Sequence, residues 1–209
     1  MLGLMSLKQG QASELVERLH TFWFGELQDG VASPEQAALW FTSSDQFDQT
    51  CREGFEEALR GLTPDTWPQD ARSQLALIIL CDQIPRNIYR GTREAFAFDA
   101  IALEASKRGI ERRIDDELGL DEKGFFYMPF EHSESLMDQH TAVGLFSSLR
   151  DHAPKAMKSN AGNKLRYAQI HRDVILRFGR FPHRNRVLGR ESTPEELEFI
   201  DQGDGFGQG

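Results

Sequence analysis

Three stretches of the 209-residue chain gather side chains suited to acid–base and anion chemistry. They are Cys81-Asp82-Gln83-Ile84-Pro85-Arg86-Asn87-Ile88-Tyr89-Arg90, then Glu131-His132-Ser133-Glu134 with Asp138-Gln139-His140, then Arg177-Phe178-Gly179-Arg180-Phe181-Pro182-His183-Arg184-Asn185. Arg86, Arg90, Arg177, Arg180 and Arg184 supply planar donor forks that match a carboxylate or a phosphate. Asn87, Asn185, Glu134 and Asp82 complete the ligand-binding candidates. His183 and His132 are the candidate bases and Glu131 the candidate partner carboxylate, because general acid–base work needs titrating groups within hydrogen-bond reach of a substrate. A structural reading stands beside this one. Glu131, Glu134, Asp138 and Asp82 would then pair with the arginines in a buried network, since an unpaired buried charge is too costly to keep. Partial pairing with spare donors facing a ligand reconciles the two.

Other chemistry has weaker support. His171 lies within a helical pattern and reads as a core histidine satisfied by one carboxylate or carbonyl, which leaves His183 the better site candidate. No His-Glu-x-x-His and no paired cysteines occur, and the lone Glu-x-x-His is Glu17 with His20, so neither metal nor cofactor is expected. The terminal Gly203-Asp204-Gly205-Phe206-Gly207 has no following helix to hold a pyrophosphate. Cys51 and Cys81 are the two cysteines; they make no disulfide framework, and Cys81, ending an apolar run, reads as a buried small hydrophobe.

The elements that must position these groups all read as helices. Leu15, Leu19, Phe22 and Trp23 recur at helical spacing from Ser13, read as the cap, to Phe24, with Gly25 beyond. Ser33-Pro34-Glu35-Gln36 reads as a capping box opening a helix through Trp40, and Phe47, Cys51, Phe55 and Leu59 line a face of the next. Leu75 to Cys81 is apolar all round and predicts a central helix, which Pro85 is expected to end near Asp82 and Gln83. Further helices are expected over 92–107, 133–152, 162–178 and 193–200. A helix beginning near Met128 would carry Glu131, Glu134 and Asp138 on one face. The fold class is therefore all-α: a multi-helix single domain of antiparallel helical hairpins over 13–201, with a loose segment 1–12 and a flexible glycine-rich tail 202–209.

Asn87 precedes Gly91 by four positions, as Asn185 precedes Gly189. Shared turn chemistry is one explanation. Two related hairpins presenting Arg and Asn to a common cleft are the other.

Composition narrows the function classes. With 39% hydrophobic and 27% charged residues the chain is globular. Its longest apolar run, Leu75 to Cys81, is far short of a membrane span, and Met1 to Gly10 lacks the features of a secretory signal, so a cytoplasmic protein without a membrane partner is expected. Net charge is −9, but 164–190 carries eight Lys or Arg against Asp173, +7 locally, leaving −16 elsewhere. An acidic chain is a poor nonspecific nucleic-acid binder, so no nucleic-acid partner is expected. Oligomeric state is not legible.

The three stretches, the second taken back through Phe126-Tyr127-Met128-Pro129-Phe130, together with Phe22-Trp23-Phe24-Gly25 and Trp40-Phe41, resemble a bacterial family known as domain of unknown function 924, over about residues 19 to 200. The resemblance implies an all-helical fold similar to the tetratricopeptide-like superfamily and no established reaction. Ile84 and Cys81 depart from the family's usual Phe and aliphatic residue, as core adjustments. No 34-residue period is visible. The leading expectation is a helical protein that binds a small anionic ligand or acidic peptide in a cleft of the Pro85, Glu131 and Pro182 motifs. The alternatives are a hydrolase or lyase using His183 or His132 with Glu131, and an interaction module whose motifs are purely structural.

Overall fold

The computed structural model describes residues 9–41 and 44–203. Residues 1–8 of the expected loose segment 1–12 and residues 204–209 of the expected tail 202–209 lie outside the described residues. Among the described residues the chain is all-α, and strand-type pairing is limited to an isolated bridge between Gln28 and Val31. Among the described residues no helix is long and apolar enough to cross a membrane.

Helix α1 spans Gln9–Phe24 and so begins four residues before Ser13, which is not its cap; residues 9–12 are helical, not loose. Gly25 closes it with φ +61°, where only glycine is unstrained. Helix α2, Pro34–Phe41, is capped by Ser33 alone: its Oγ accepts from the Gln36 N–H at 3.2 Å. The Gln36 side chain turns to α1 instead, its Nε2 donating to the Phe22 and Trp23 carbonyls at the end of that helix. Helix α3, Asp45–Arg60, is capped by Ser44 and buries Phe47, Cys51, Phe55 and Leu59.

Helix α4, Ala71–Ile78, starts at the Asp70 cap and runs through the centre, with Leu75, Ile78, Ile79, Leu80 and Cys81 fully buried. Burying each Leu or Ile contributes about 1.5–3 kcal/mol, which makes this run the anchor of the core. Pro85 does not end it. The chain widens into a π-turn, Ile79–Gln83, and continues as helix α5, Ile84–Ile88. One inserted residue lets the Ile84 N–H reach back to the Ile79 carbonyl. Side chains one turn on then take up the carbonyls near the missing proline N–H. Arg86 Nη1 donates to the Asp82 carbonyl and Asn87 Nδ2 to that of Gln83.

The helix expected over 92–107 is a short 3-10 turn, Arg93–Phe96, followed by α6, Asp99–Glu111. Gly109 lets α6 lie on helix α7, Leu120–His132: a Cβ there would fall 2.3 Å from Phe126 Cζ. α7 is a full helix with Pro129 inside it, and Met128, expected near the start of a helix, lies in its last turns. It stops at Ser133, and α8, Leu136–His152, begins anew with Ser135 as cap. Gln139 Nε2 donates to the carbonyls of Glu131 and Ser133, satisfying the end of α7. Helix α9, Lys158–Phe178, packs along α8 as an antiparallel hairpin, the most extensive helix pair. It starts earlier than 162. A 3-10 turn Pro182–Arg184, α10 (Asn185–Leu188) and α11 (Pro194–Asp201) close the described chain, α11 with a Thr193/Glu196 capping box.

Candidate functional site

The three chemical stretches meet. The end of α4 with α5, the end of α7, the face of α9 and the Pro182–Arg184 turn surround a cavity of about 550 Å³. Its polar wall holds Gln83, Arg86, Asn87 and Arg90 from the first stretch, Glu131 and His132 from the second, and His183 and Arg184 from the third. Lys164, Asn163, Tyr167 and His171 of α9 face it, and Trp40, Phe41, Phe96, Met128 and Phe146 supply apolar surface.

The wall is built on shared carboxylates. Arg86 grips Asp99 with both terminal nitrogens, at 2.8 and 2.9 Å, and also lies 3.1 Å from Asp82 Oδ1. Asp82, 1% exposed, takes the His132 Nδ1 at 2.7 Å on that same oxygen and the Gln83 amide on the other. Burial alone would raise the Asp82 carboxyl, but Arg86 and His132 hold it well below the usual carboxylate range. Asp82 is therefore an ionised acceptor, and the proton of neutral His132 sits on Nδ1. Burial and the Arg86 charge outweigh Asp82 and keep the His132 pKa below its ordinary value.

Arg184 is held differently. Its guanidinium lies 4.6 Å from the Phe96 ring centroid and 4.5 Å from that of Phe181, within cation–π range of both rings. Its ion pair is with Asp99 Oδ2 at 3.6 Å, too far for a hydrogen bond, and that carboxylate already serves Arg86. Its buried Nε has no hydrogen-bond partner among the described residues. Burial, and after it the charge of Arg86, pull its pKa down to about 10, so it remains a cation at neutral pH. His183 beside it is pushed down to about 3 by burial first and then by Arg184 and its other basic neighbours, and is neutral.

Several expectations change here. Glu131 does not partner His132 or His183; its Oε1 lies 3.0 Å from His171 Nδ1, which is also 2.9 Å from the Tyr167 carbonyl. His171 thus has the carboxylate and carbonyl expected of a core histidine, yet its ring edges the cavity. The three acids expected on one helix face diverge, because the chain breaks at Ser133: Glu134 pairs with Arg190 at 2.7 Å and Asp138 with Lys107 at 2.7 Å. Arg177 reaches Glu195 on the outer surface, Arg180 reaches the buried Glu196, and Asn185 is buried against Ser192 and Glu196. Arg177, Arg180, Asn185 and Glu134 therefore stand outside the cavity, because α11 and Arg190 supply them with partners. Glu17 and His20 separate too, to Arg72 and Glu122. Among the described residues no group of three His, Cys, Asp or Glu side chains is arranged to hold a metal.

Arg90 faces the cavity while paired with Asp48 at 3.1 Å. Gly91 and Gly189 both adopt left-handed backbone, φ +74° and +69°, as turn chemistry requires. The Arg86 and Arg184 preceding them nevertheless meet at Asp99, so the echoed motifs share a wall as well. The sequence reading missed Asp99, Lys164 and Tyr167. Lys164 is set by Asp121 at 3.0 Å, and Asp121 in turn accepts from the Ala32 N–H, tying the loop after α1 to the site.

Residues 19–204 match the family model described as bacterial protein of unknown function (DUF924). A solved structure titled as the protein of unknown function ATU0120 from Agrobacterium tumefaciens is 34% identical, with 92% of this chain and 99% of that chain covered and a TM-score of 0.76. No curated protein matches the chain. With the family model matched over most of its length, the chain belongs to the bacterial DUF924 family.

Proposed function

We propose that this protein binds a small organic anion, a carboxylate or a phosphate joined to an apolar body, with Arg184 as its anchor. The observation that carries this reading is a buried, permanently charged guanidinium, within cation–π range of two rings, whose nearest carboxylate is shared and 3.6 Å away. A buried cation without hydrogen-bonded compensation is costly. An anion in the cavity would supply that compensation, and Arg86 and Lys164 add positive charge to the same wall. The volume suits a small-molecule site, and Trp40, Phe146 and Met128 favour an apolar body over a bare inorganic ion. A free acidic peptide end presents the same carboxylate chemistry.

The hydrolase or lyase reading gains support from one contact, Asp82 with His132, in place of the Glu131 pairing. A purely structural role for the motifs fits Arg177 and Arg180 better than Arg184.

Thermal melting tests the proposal with inorganic phosphate, acetate, benzoate and phenylphosphate. A ligand at 100 times its Kd stabilises the native state by about 2.7 kcal/mol, a shift of roughly 5–11 °C for a chain of this size. Benzoate or phenylphosphate should shift the melt, and Arg184→Ala should lose the shift. If none of the four anions moves the melting temperature, the binding reading falls and the structural one takes its place.

A further inference from the structure

We infer that the cavity is a hydrolytic site in which His132 Nε2 is the general base and Asp82 its positioning residue, acting on an ester whose own anionic group is held by Arg184. The inference rests on the anion-binding reading for where the substrate sits, and on separate geometry for the chemistry.

That geometry is a chain of contacts along one cavity wall. His132 Nδ1 meets Asp82 at 2.7 Å, Asp82 meets Arg86 at 3.1 Å, Arg86 meets Asp99 at 2.8 Å, and Asp99 faces Arg184 at 3.6 Å. Base and anchor are thus the two ends of one network. Asp82 is immobilised by the π-turn, by Gln83 and by Arg86, so it fixes both the tautomer and the ring plane of His132. With Nδ1 taken, Nε2 is the nitrogen left for a molecule in the cavity. The charged and titratable groups around the ring are Asp82 from the π-turn, Arg86 from α5, Glu131 from α7, His171 from α9, and His183 from the last turn. Their balance, with burial, leaves the imidazole neutral at pH 7 and able to take a proton.

Among the described residues lining the cavity there is no Ser, Thr or Cys, and the nucleophile of the inferred step is water. Nε2 removes a proton from water while the water oxygen bonds to the ester carbonyl carbon and the carbonyl π pair moves onto its oxygen. That pair then returns, the carbon–oxygen bond to the leaving group breaks, and the leaving oxygen takes the proton from the imidazolium. One ester and one water give one acid and one alcohol, and His132 is neutral again. The transient imidazolium faces the Asp82 carboxylate, which stabilises it.

The test uses the full chain with mono-4-nitrophenyl glutarate, whose free carboxylate answers Arg184 and whose hydrolysis is read by release of nitrophenolate. The wild type should turn it over, and His132→Gln and His132→Ala should lower kcat/KM by about 10²-fold or more. Added imidazole should restore part of the His132→Ala loss. Asp82→Asn should lower the rate and move the acid limb of the pH profile down by about 1–3 units, since the imidazolium loses its counter-charge; a merely structural role would leave that limb in place. Rates in both folded His132 variants equal to wild type overturn the inference, as does a wild type no faster than either. Glutarate itself, scored by Arg184-dependent thermal protection, separates the cases: protection without His132-dependent hydrolysis removes the catalysis and leaves the binding reading standing.

Discussion

Arg184 stands 3.6 Å from the Asp99 carboxylate, whose two oxygens already bond Arg86 at 2.8 and 2.9 Å. Two buried guanidiniums thus divide one negative charge, and the division is unequal. Arg86 has Asp82 as well, whereas Arg184 leans on the faces of Phe96 and Phe181.

That inequality predicts opposite outcomes for two similar substitutions. Arg86→Met takes from Asp99 both of its guanidinium hydrogen bonds and from Asp82 its adjacent guanidinium, and should cost about 3–5 kcal/mol, as loss of one partner from a buried pair does. Arg184→Met removes a cation that folding desolvates at a loss and leaves Asp99 still paired, so denaturant unfolding should find it as stable as wild type or more so. A loss of several kcal/mol in Arg184→Met would show that Arg184 is structural.

Acid should weaken the fold as soon as the pH drops below about 6.5. The His183 pKa is lowered from 6.5 to about 3, so between those values the unfolded chain holds a proton that the folded chain does not. Stability must then fall as pH drops from 6.5, by roughly 1.4 kcal/mol per pH unit for that proton. His132, also depressed, adds in the same direction. Urea unfolding at intervals between pH 7 and 5 reads the slope, which His183→Gln should flatten. Glu196, lowered to about 2 chiefly by its hydrogen bonds from Arg180, contributes stability that is present above 4.5 and lost only as pH falls from there toward 2.

Both thiols should be silent in the native protein. Cys51 and Cys81 are fully buried, and burial, with nearby acids, pushes the Cys51 pKa up to about 12 and that of Cys81 higher still. A thiol-exchange reagent should titrate neither until denaturant is added, and then both. Rapid native labelling of Cys81 would mean that the α4 core opens.

Helix α6 depends on a missing side chain. With Phe126 fully buried and unable to swing away, Gly109→Ala should cost about 1–3 kcal/mol by overpacking, read as a lower urea midpoint. An unchanged midpoint would mean the α6–α7 contact is looser than described.

How legible this was depended on where the deciding partner lay in the chain. The all-apolar run Leu75 to Cys81 reads as a central helix because no alternating segments offer partner strands, and it is buried helix through Ile78 and π-turn beyond. Proline chemistry correctly marked residue 85 as a place where α-helical bonding fails, but a π-turn repairs the failure locally, using Arg86 and Asn87 side chains that composition does not distinguish from ligand-binding ones. The arginines looked equivalent in sequence. What sorts them is whether an acid arrives from elsewhere: Glu195 and Glu196 on α11 claim Arg177 and Arg180, while for Arg184 only the shared Asp99 comes near. Three-residue spacing put Glu131 and Glu134 on one helix, and the break at Ser133 sent them to different partners. Lys164 and Tyr167 carried no local signal, since the helix face they occupy becomes a cavity wall only once α9 packs on α8.

Calorimetric titration of phenylphosphate into wild type and Arg184→Met tests the central claim most directly, because the variant should fold at least as well while lacking the anchor. One binding event per wild-type chain, abolished in Arg184→Met and weakened in Arg184→Lys by loss of the planar fork, is the predicted result. Binding to Arg184→Met with the wild-type Kd would contradict the account.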